Sequence, residues 1–552
     1  MEQNKNINEG NVNTNGGDFR IGDTYIGKSI EYQELVDNIE KLEKLCKLSE
    51  GEDKEKYCNE LQVEKRKLEA FKRDVIRLAE IFQNIEISNE RLVKAKQFFT
   101  NGLFKEARDI LDTEESQMEL KVLLTEKEGL QQKTDENERK LLIKANEYLV
   151  LAKLKAIEYT DPKWHENSIK YFNTSISANK NYLNTLEFGL FYSDHNQYSN
   201  ALPLYESAVE LAYNSTESNK EKYFNNLGMA YANLAVLKTK NYLTTESIDL
   251  NLKAIDAYSQ IDKKSAIAMC KGNLGLSYLQ THEIERAEQY LIDSLNIYST
   301  LSEKEPKFVI DYAGMSMNLG NLYFNLDSFK LSEKYLKQAI SIYEKVTEKK
   351  YALADTLSNL GNLYTKNLIL DKGEECYSKA LSIYSELNKS NQYTYLSDIA
   401  MISNNMGILL KDKKQYDKSE QSYLQSLEIR RKLAKENPKV YLPDIIMSNV
   451  NLSSLYIDTN QLDKAETAIR EIIKISESEN INIESQYPNL LKAYRNLYRL
   501  KLLNSKYDEA REAILKAKEI LQYLIKIDTT QFMPYSILIE MELNQLNEEN
   551  DS

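Results

Sequence analysis

Histidine and cysteine side chains are few. The chain of 552 residues has three histidines, His165, His195 and His282, and four cysteines, Cys46, Cys58, Cys270 and Cys376. No histidine falls in an HExxH run or beside a cysteine at ligand spacing, and no two cysteines form CxxC. The expectation is scattered reduced thiols, no zinc site, no disulfide scaffold, and His195 and His282 as surface residues of turns. No GxGxxG, GxxxxGK[ST] or GxSxG run occurs, so neither a phosphate cradle nor a nucleophile elbow is present. The acidic residues are interspersed with lysines, as helix surfaces with i,i+4 pairs require. The sequence therefore points away from an enzyme, and no metal or cofactor is expected.

One polar residue does recur. Asn226, Asn273, Asn318, Asn359, Asn405 and Asn451 each stand two positions before a glycine, or before a serine in the last case. Asn321 and Asn362, three residues on from two of them, extend the pattern. An asparagine amide both donates and accepts. A regular row of amides can pair with the N–H and C=O groups of an extended peptide without reading its side chains. The alternative is that each amide bonds a neighbouring helix or loop carbonyl.

The elements that position this row form a repeat. Asn-Leu-Gly followed by Tyr three residues later occurs at Gly228/Tyr231, Gly275/Tyr278, Gly320/Tyr323 and Gly361/Tyr364. Variants follow at Gly407 and at Ser453/Tyr456, giving steps of 47, 45, 41, 46 and 46 residues from Gly228. After each glycine come a small residue, a large apolar one and another small one: Ala287, Leu291, Ser294; Ser332, Leu336, Ala339; Gly373, Tyr377, Ala380; Ser419, Tyr423, Ser426. Gly189, Tyr192, Ala201, Tyr205 and Ala208 form an earlier copy. Gly and Tyr three apart share one helical face. The small residues let an antiparallel second helix approach, and the large one fills the gap. One such hairpin cannot bury its apolar face alone, and stacking buries it. Two copies deviate. After Tyr231 the second helix (Ser247, Asn251, Ala254) comes seven residues late, and after Tyr498 the run Tyr507–Ala510 comes three late. Ala95/Phe98/Ala107/Leu111 and Ala156/Tyr159/Ser168/Phe172 fit the same frame as degenerate copies.

The pattern resembles the tetratricopeptide repeat, in the longer-helix variety of kinesin light chains and many bacterial proteins. The usual period is about 34 residues. The resemblance implies an all-α, right-handed solenoid. It also implies a concave groove in which Asn226, Asn273, Asn318, Asn359, Asn405 and Asn451, with Asn321 and Asn362, bind a partner peptide as an asparagine ladder. The basic pairs of members that clamp a terminal carboxylate are not evident.

Composition agrees with this architecture. Only 7 Pro and 17 Gly occur, which suits long helices with short connections. A net charge of −13 without a long basic run disfavours nucleic acid and anionic membrane as partners. No stretch of about 18 apolar residues could span a membrane, and the N-terminus lacks an apolar signal region. A cytoplasmic location is expected. Residues 29–87 read as a helical hairpin. Leu35, Ile39, Leu42 and Cys46, then Leu61, Leu68, Phe71, Val75, Leu78, Phe82 and Ile85, keep 3/4 spacing on either side of Ser49–Asp53. The hairpin either caps the first repeats or forms an oligomerising coiled coil. Residues 88–141 read as a degenerate repeat and charged helix, 142–525 as the array, and 526–552 as a capping helix with an acidic tail.

Residues 1–28 differ. Six of the first fifteen are Asn, and Phe19-Arg20-Ile21-Gly22-Asp23 is nearly duplicated by Thr24-Tyr25-Ile26-Gly27-Lys28. Such a segment is expected to be a flexible tail that can stack as cross-β. It resembles the Asn/Gly-rich motifs preceding signalling modules in bacterial conflict and programmed-death proteins. Two functions follow as expectations. One is a non-catalytic scaffold binding a protein or peptide partner in the groove. The other is a sensor or adaptor of a bacterial defence system, assembling through residues 1–28; self-assembly through residues 1–86 is a further expectation.

Overall fold

The computed structural model describes residues 26, 29–49, 51–85, 87, 89–129, 135–158, 161–240, 243–346, 349–390, 395–478, 482–527 and 529–550. The motif expected in residues 1–28 lies outside them, save at Ile26. Two compact units are present, residues 1–322 and 323–552. Among the described residues the chain is all α, with 24 helices.

Unit 1 begins with α1 (Ile30–Leu48) and α2 (Gly51–Asn84), the expected hairpin, whose two helices pack along each other. Ser29 caps α1, its Oγ accepting from the Tyr32 N–H at 3.2 Å. The sequence frame does not account for Cys46 and Cys58. The antiparallel turn brings their Cα atoms to 5.3 Å and a disulfide joins them, which corrects the expectation of scattered reduced thiols. Cys270 and Cys376 remain buried thiols, pushed up to about 12 and about 11, chiefly by burial. Then come α3 (Glu90–Thr100) and α4 (Phe104–Leu111), which pair, and α5 (Glu114–Gly129), which lies on the next helix. Pairs follow as α6 (Asp135–Ala156) with α7 (Trp164–Ala178) and α8 (Tyr182–Asp194) with α9 (Tyr198–Tyr213). Next are α10 (Lys220–Lys240) with α11 (Thr244–Ser259) and α12 (Lys264–Gln280) with α13 (Ile284–Lys304). Helix α14 (Val309–Asn325) carries the unit boundary.

Unit 2 continues with α15 (Phe329–Tyr343), which packs on α16 (Lys350–Lys366). The pairs are α16 with α17 (Leu370–Ser390), α18 (Leu396–Asp412) with α19 (Tyr416–Glu436), α20 (Pro438–Asp458) with α21 (Leu462–Ser476), and α22 (Ile483–Leu503) with α23 (Tyr507–Ile527). Helix α24 (Thr529–Asn550) covers α23.

The glycine frame explains the pairing. A Cβ on Gly361 would lie 2.6 Å from the Tyr377 ring, and one on Gly407 would lie 2.6 Å from Tyr423. Gly189 meets Tyr205 and Gly275 meets Leu291 in the same way. The ring on Gly228 comes from Tyr258 instead, because α11 arrives late and presents Asn251 where a large residue is expected. The second small residue has a further use. Ser294 Oγ donates to the Ala268 carbonyl and Ser426 Oγ to that of Ala400, both at 2.7 Å, tying second helix to first.

Gly102 takes left-handed backbone in the α3–α4 turn, but turns within six later pairs do so without glycine. Asn196, His282, Leu368, Lys414, Asn460 and Ser505 all have φ between 55° and 61°. His282 is thus an exposed turn residue. His195 is not: its ring packs on Phe191 at 4.6 Å and on His165 at 5.3 Å, which corrects the surface reading. His165 is held below the usual imidazole range by burial and by His195.

Candidate functional site

The first helices of successive pairs also touch one another: α6 with α8 and α10 with α12 in unit 1, and α16 with α18, α18 with α20 and α20 with α22 in unit 2. They form one continuous layer in unit 2, and the sequence-predicted asparagines lie on first helices of pairs or on α14. In unit 1 these are Asn226 on α10, Asn273 on α12, and Asn318 and Asn321 on α14. Asn318 is only 7% exposed, which removes most of its amide from reach of a ligand.

Unit 2 brings several amides together. Asn405 Nδ2 donates to Asn362 Oδ1 at 3.0 Å, and the Tyr377 hydroxyl donates to the same oxygen at 2.6 Å. Asn451 Nδ2 donates to Asn404 Oδ1 at 3.0 Å. Asn496, on α22, repeats the move toward Ser453 Oγ at 2.9 Å. Each of these amides thus spends a donor on the preceding first helix, the alternative that the sequence left open. Asn359 differs: its Nδ2 is shielded from water with no hydrogen-bond partner among the described residues.

One turn from Asn359 on α16 stands a group that the sequence reading passed over. Asp355 is pushed up to about 7 by burial, reinforced by the nearby Asp398 charge and opposed by the hydrogen bond it accepts from the Tyr384 hydroxyl. Asp398 on α18 is pushed up to about 6, again by burial. Among the described residues neither carboxyl has a lysine or arginine partner. The Tyr384 and Tyr395 rings lie 5.3 Å apart beside them. The signal was present in the repeat. Asp355, Asp398 and Asp444 stand seven residues before Asn362, Asn405 and Asn451, and Asp311 seven before Asn318. Seven residues are two helical turns, so acid and amide share a face.

Family models described as tetratricopeptide repeat match residues 267–305, 313–346, 399–438 and 448–479. This chain carries tetratricopeptide repeats. No curated protein matches it in sequence. Solved structures similar to the repeat protein include BtubC (BKLC) from P. vanneervenii, at 20% identity and TM-score 0.34, over 46% of this chain and 93% of that one. The apo form of RapI aligns at 16% identity and TM-score 0.41, over 52% and 99%. A signal-transduction ATPase with a tetratricopeptide-repeat sensor, from Pyrococcus horikoshii, aligns at 15% identity and TM-score 0.45, over 83% and 74%. Among the described residues no helix is long and apolar enough to cross a membrane.

Proposed function

We propose that the protein is a non-catalytic scaffold that binds a segment of a partner protein on the first-helix layer of unit 2. Asn359, Asn405 and Asn451, with Asn362, offer amides to the backbone of the segment, and Asp355 and Asp398 receive a basic side chain. The observation that carries this reading is the pair of buried carboxyls without a cation, one turn from the unpartnered donor of Asn359. Burying a charge without a partner is costly, and a lysine or arginine from outside removes that cost. Selection of peptides from a random library displayed on phage, with the full chain as bait, tests it. Enrichment of peptides carrying Lys or Arg is the expected result, and a consensus without a basic residue contradicts it.

A second reading rests on the near-duplicate Phe19–Asp23 and Thr24–Lys28. In it the N-terminal segment assembles with like segments, as expected of a defence-system adaptor. Thioflavin-positive fibres of a peptide spanning residues 1–28 support this reading, and a peptide that stays monomeric removes it.

A further inference from the structure

Unit 1 holds a groove that takes no part in the asparagine row. Helix α5 packs on α6, and a groove of about 320 Å³ runs between α5 and α7. That is at the small end of the roughly 300–1,000 Å³ of small-molecule sites. Leu120, Lys121 and Leu124 of α5, three to four residues apart and so on one helical face, line one wall. Lys170 and Tyr171 of α7 line the other, and Tyr148 of α6 lies at the floor. The Tyr148 and Tyr171 rings stack, with centroids 6.1 Å apart and planes tilted by 25°.

The charge in this groove has one sign. The chain has 85 acidic residues against 72 Lys and Arg, yet no acidic residue lines the groove. Among the described residues neither Lys121 nor Lys170 pairs with a carboxylate. The Lys170 ammonium lies 5.8 Å from the centroid of the Tyr171 ring, which holds that charge beside the aromatic surface. Asp112 is close to Tyr171, but its two oxygens already accept from the Tyr171 hydroxyl at 2.6 Å and from the Gln117 amide at 3.2 Å. A peptide backbone finds no ladder here. The Gln117 amide is spent on Asp112, and the hydroxyls of Thr125 and Thr174 each donate to a carbonyl of their own helix at 2.9 Å. What fits is a flat apolar body against the tyrosines and leucines, with one anionic group between the two ammoniums. We propose that the groove between α5 and α7 binds a small aromatic anion such as an aryl carboxylate, independently of the layer in unit 2.

Titration of the full chain with the fluorescent aromatic anion anilinonaphthalene sulfonate tests this. Wild type should bind the dye at one saturable site, and naphthoate should displace it at least about tenfold more strongly than the neutral isostere naphthamide. Lys121→Glu combined with Lys170→Glu should weaken the dye at least about tenfold. Both lysines are exposed, so the melting temperature should stay at the wild-type value. Thr174→Trp, which sets an indole in the groove, should remove the site. Four results overturn the proposal: no saturable site in wild type, equal displacement by naphthoate and naphthamide, undiminished dye affinity in the charge variant, or a site that survives Thr174→Trp.

Discussion

Replacing Asp355 by asparagine should stabilise the protein at pH 8 and, at pH 5, by only about a third as much. The carboxyl is pushed up to about 7, chiefly by burial, while in the unfolded chain it titrates near the ordinary value of about 4. Between those values the folded state holds a proton that the unfolded state has released, so stability falls as pH rises through the window. Each tenfold difference in proton affinity is about 1.4 kcal/mol, which sets an upper bound of roughly 4 kcal/mol at pH 8. The Asp398 charge supplies part of that push, and about 2 kcal/mol is a working figure for the rest. Asparagine removes the charge and keeps an oxygen to accept from the Tyr384 hydroxyl. For a unit of this size the gain is roughly 4–8 °C in melting temperature. Carboxylates held below the ordinary range in the same unit, such as Glu420, Asp458 and Glu466, lose their stabilising effect only at lower pH, outside this window. Urea and thermal melts of wild type and Asp355→Asn at pH 5 and pH 8 provide the comparison. A variant that gains nothing at pH 8, or loses equally at both values, refutes the reasoning.

Three further outcomes follow. Leu368 is 74% exposed with φ 57°, so Leu368→Gly should stabilise by about 0.5–1 kcal/mol, the left-handed penalty less the entropy of glycine; a urea midpoint that does not rise contradicts this. Gly361→Ala should cost about 1–3 kcal/mol, because its Cβ meets the Tyr377 ring at 2.6 Å; chemical denaturation reads the loss. Ile26 is only 5% exposed, in the core shared with α2, so the 28-residue segment is not wholly a detached tail. Deleting residues 1–25 should leave the melting temperature unchanged, while deleting 1–28 should cost roughly 1.5–3 kcal/mol, and equal melting of the two truncations contradicts the anchor.

The helix pairs were legible because close packing leaves a signature in residue size. A glycine at 361 with a tyrosine at 377 is a contact written into one dimension. The turns were not, because Leu368 and Lys414 take left-handed backbone without the glycine that marks it. The hairpin pattern showed which residues of α2 are apolar, but not that Asp74 and Arg77 meet Lys153 of α6 and Asp194 of α8; periodicity names a buried face, not its cover. The Cys46–Cys58 bridge was hidden for the same reason, since only the folded-back hairpin makes a separation of 12 residues a contact. At the candidate site the asparagine row was read from its period. Asp311, Asp398 and Asp444 keep the same period, with Asp355 three residues out of it, and they escaped notice because charged residues on helix surfaces are the common case.

The central claim is that the first-helix layer of unit 2 holds a partner segment by its amides and carboxyls. Calorimetric titration of a selected basic peptide into wild type and into a chain carrying Asn359→Ala, Asn405→Ala and Asp398→Asn tests it most directly. The account predicts at least a tenfold weaker affinity in the variant, with a melting temperature at pH 7 no lower than that of wild type. Undiminished affinity in a folded variant contradicts it.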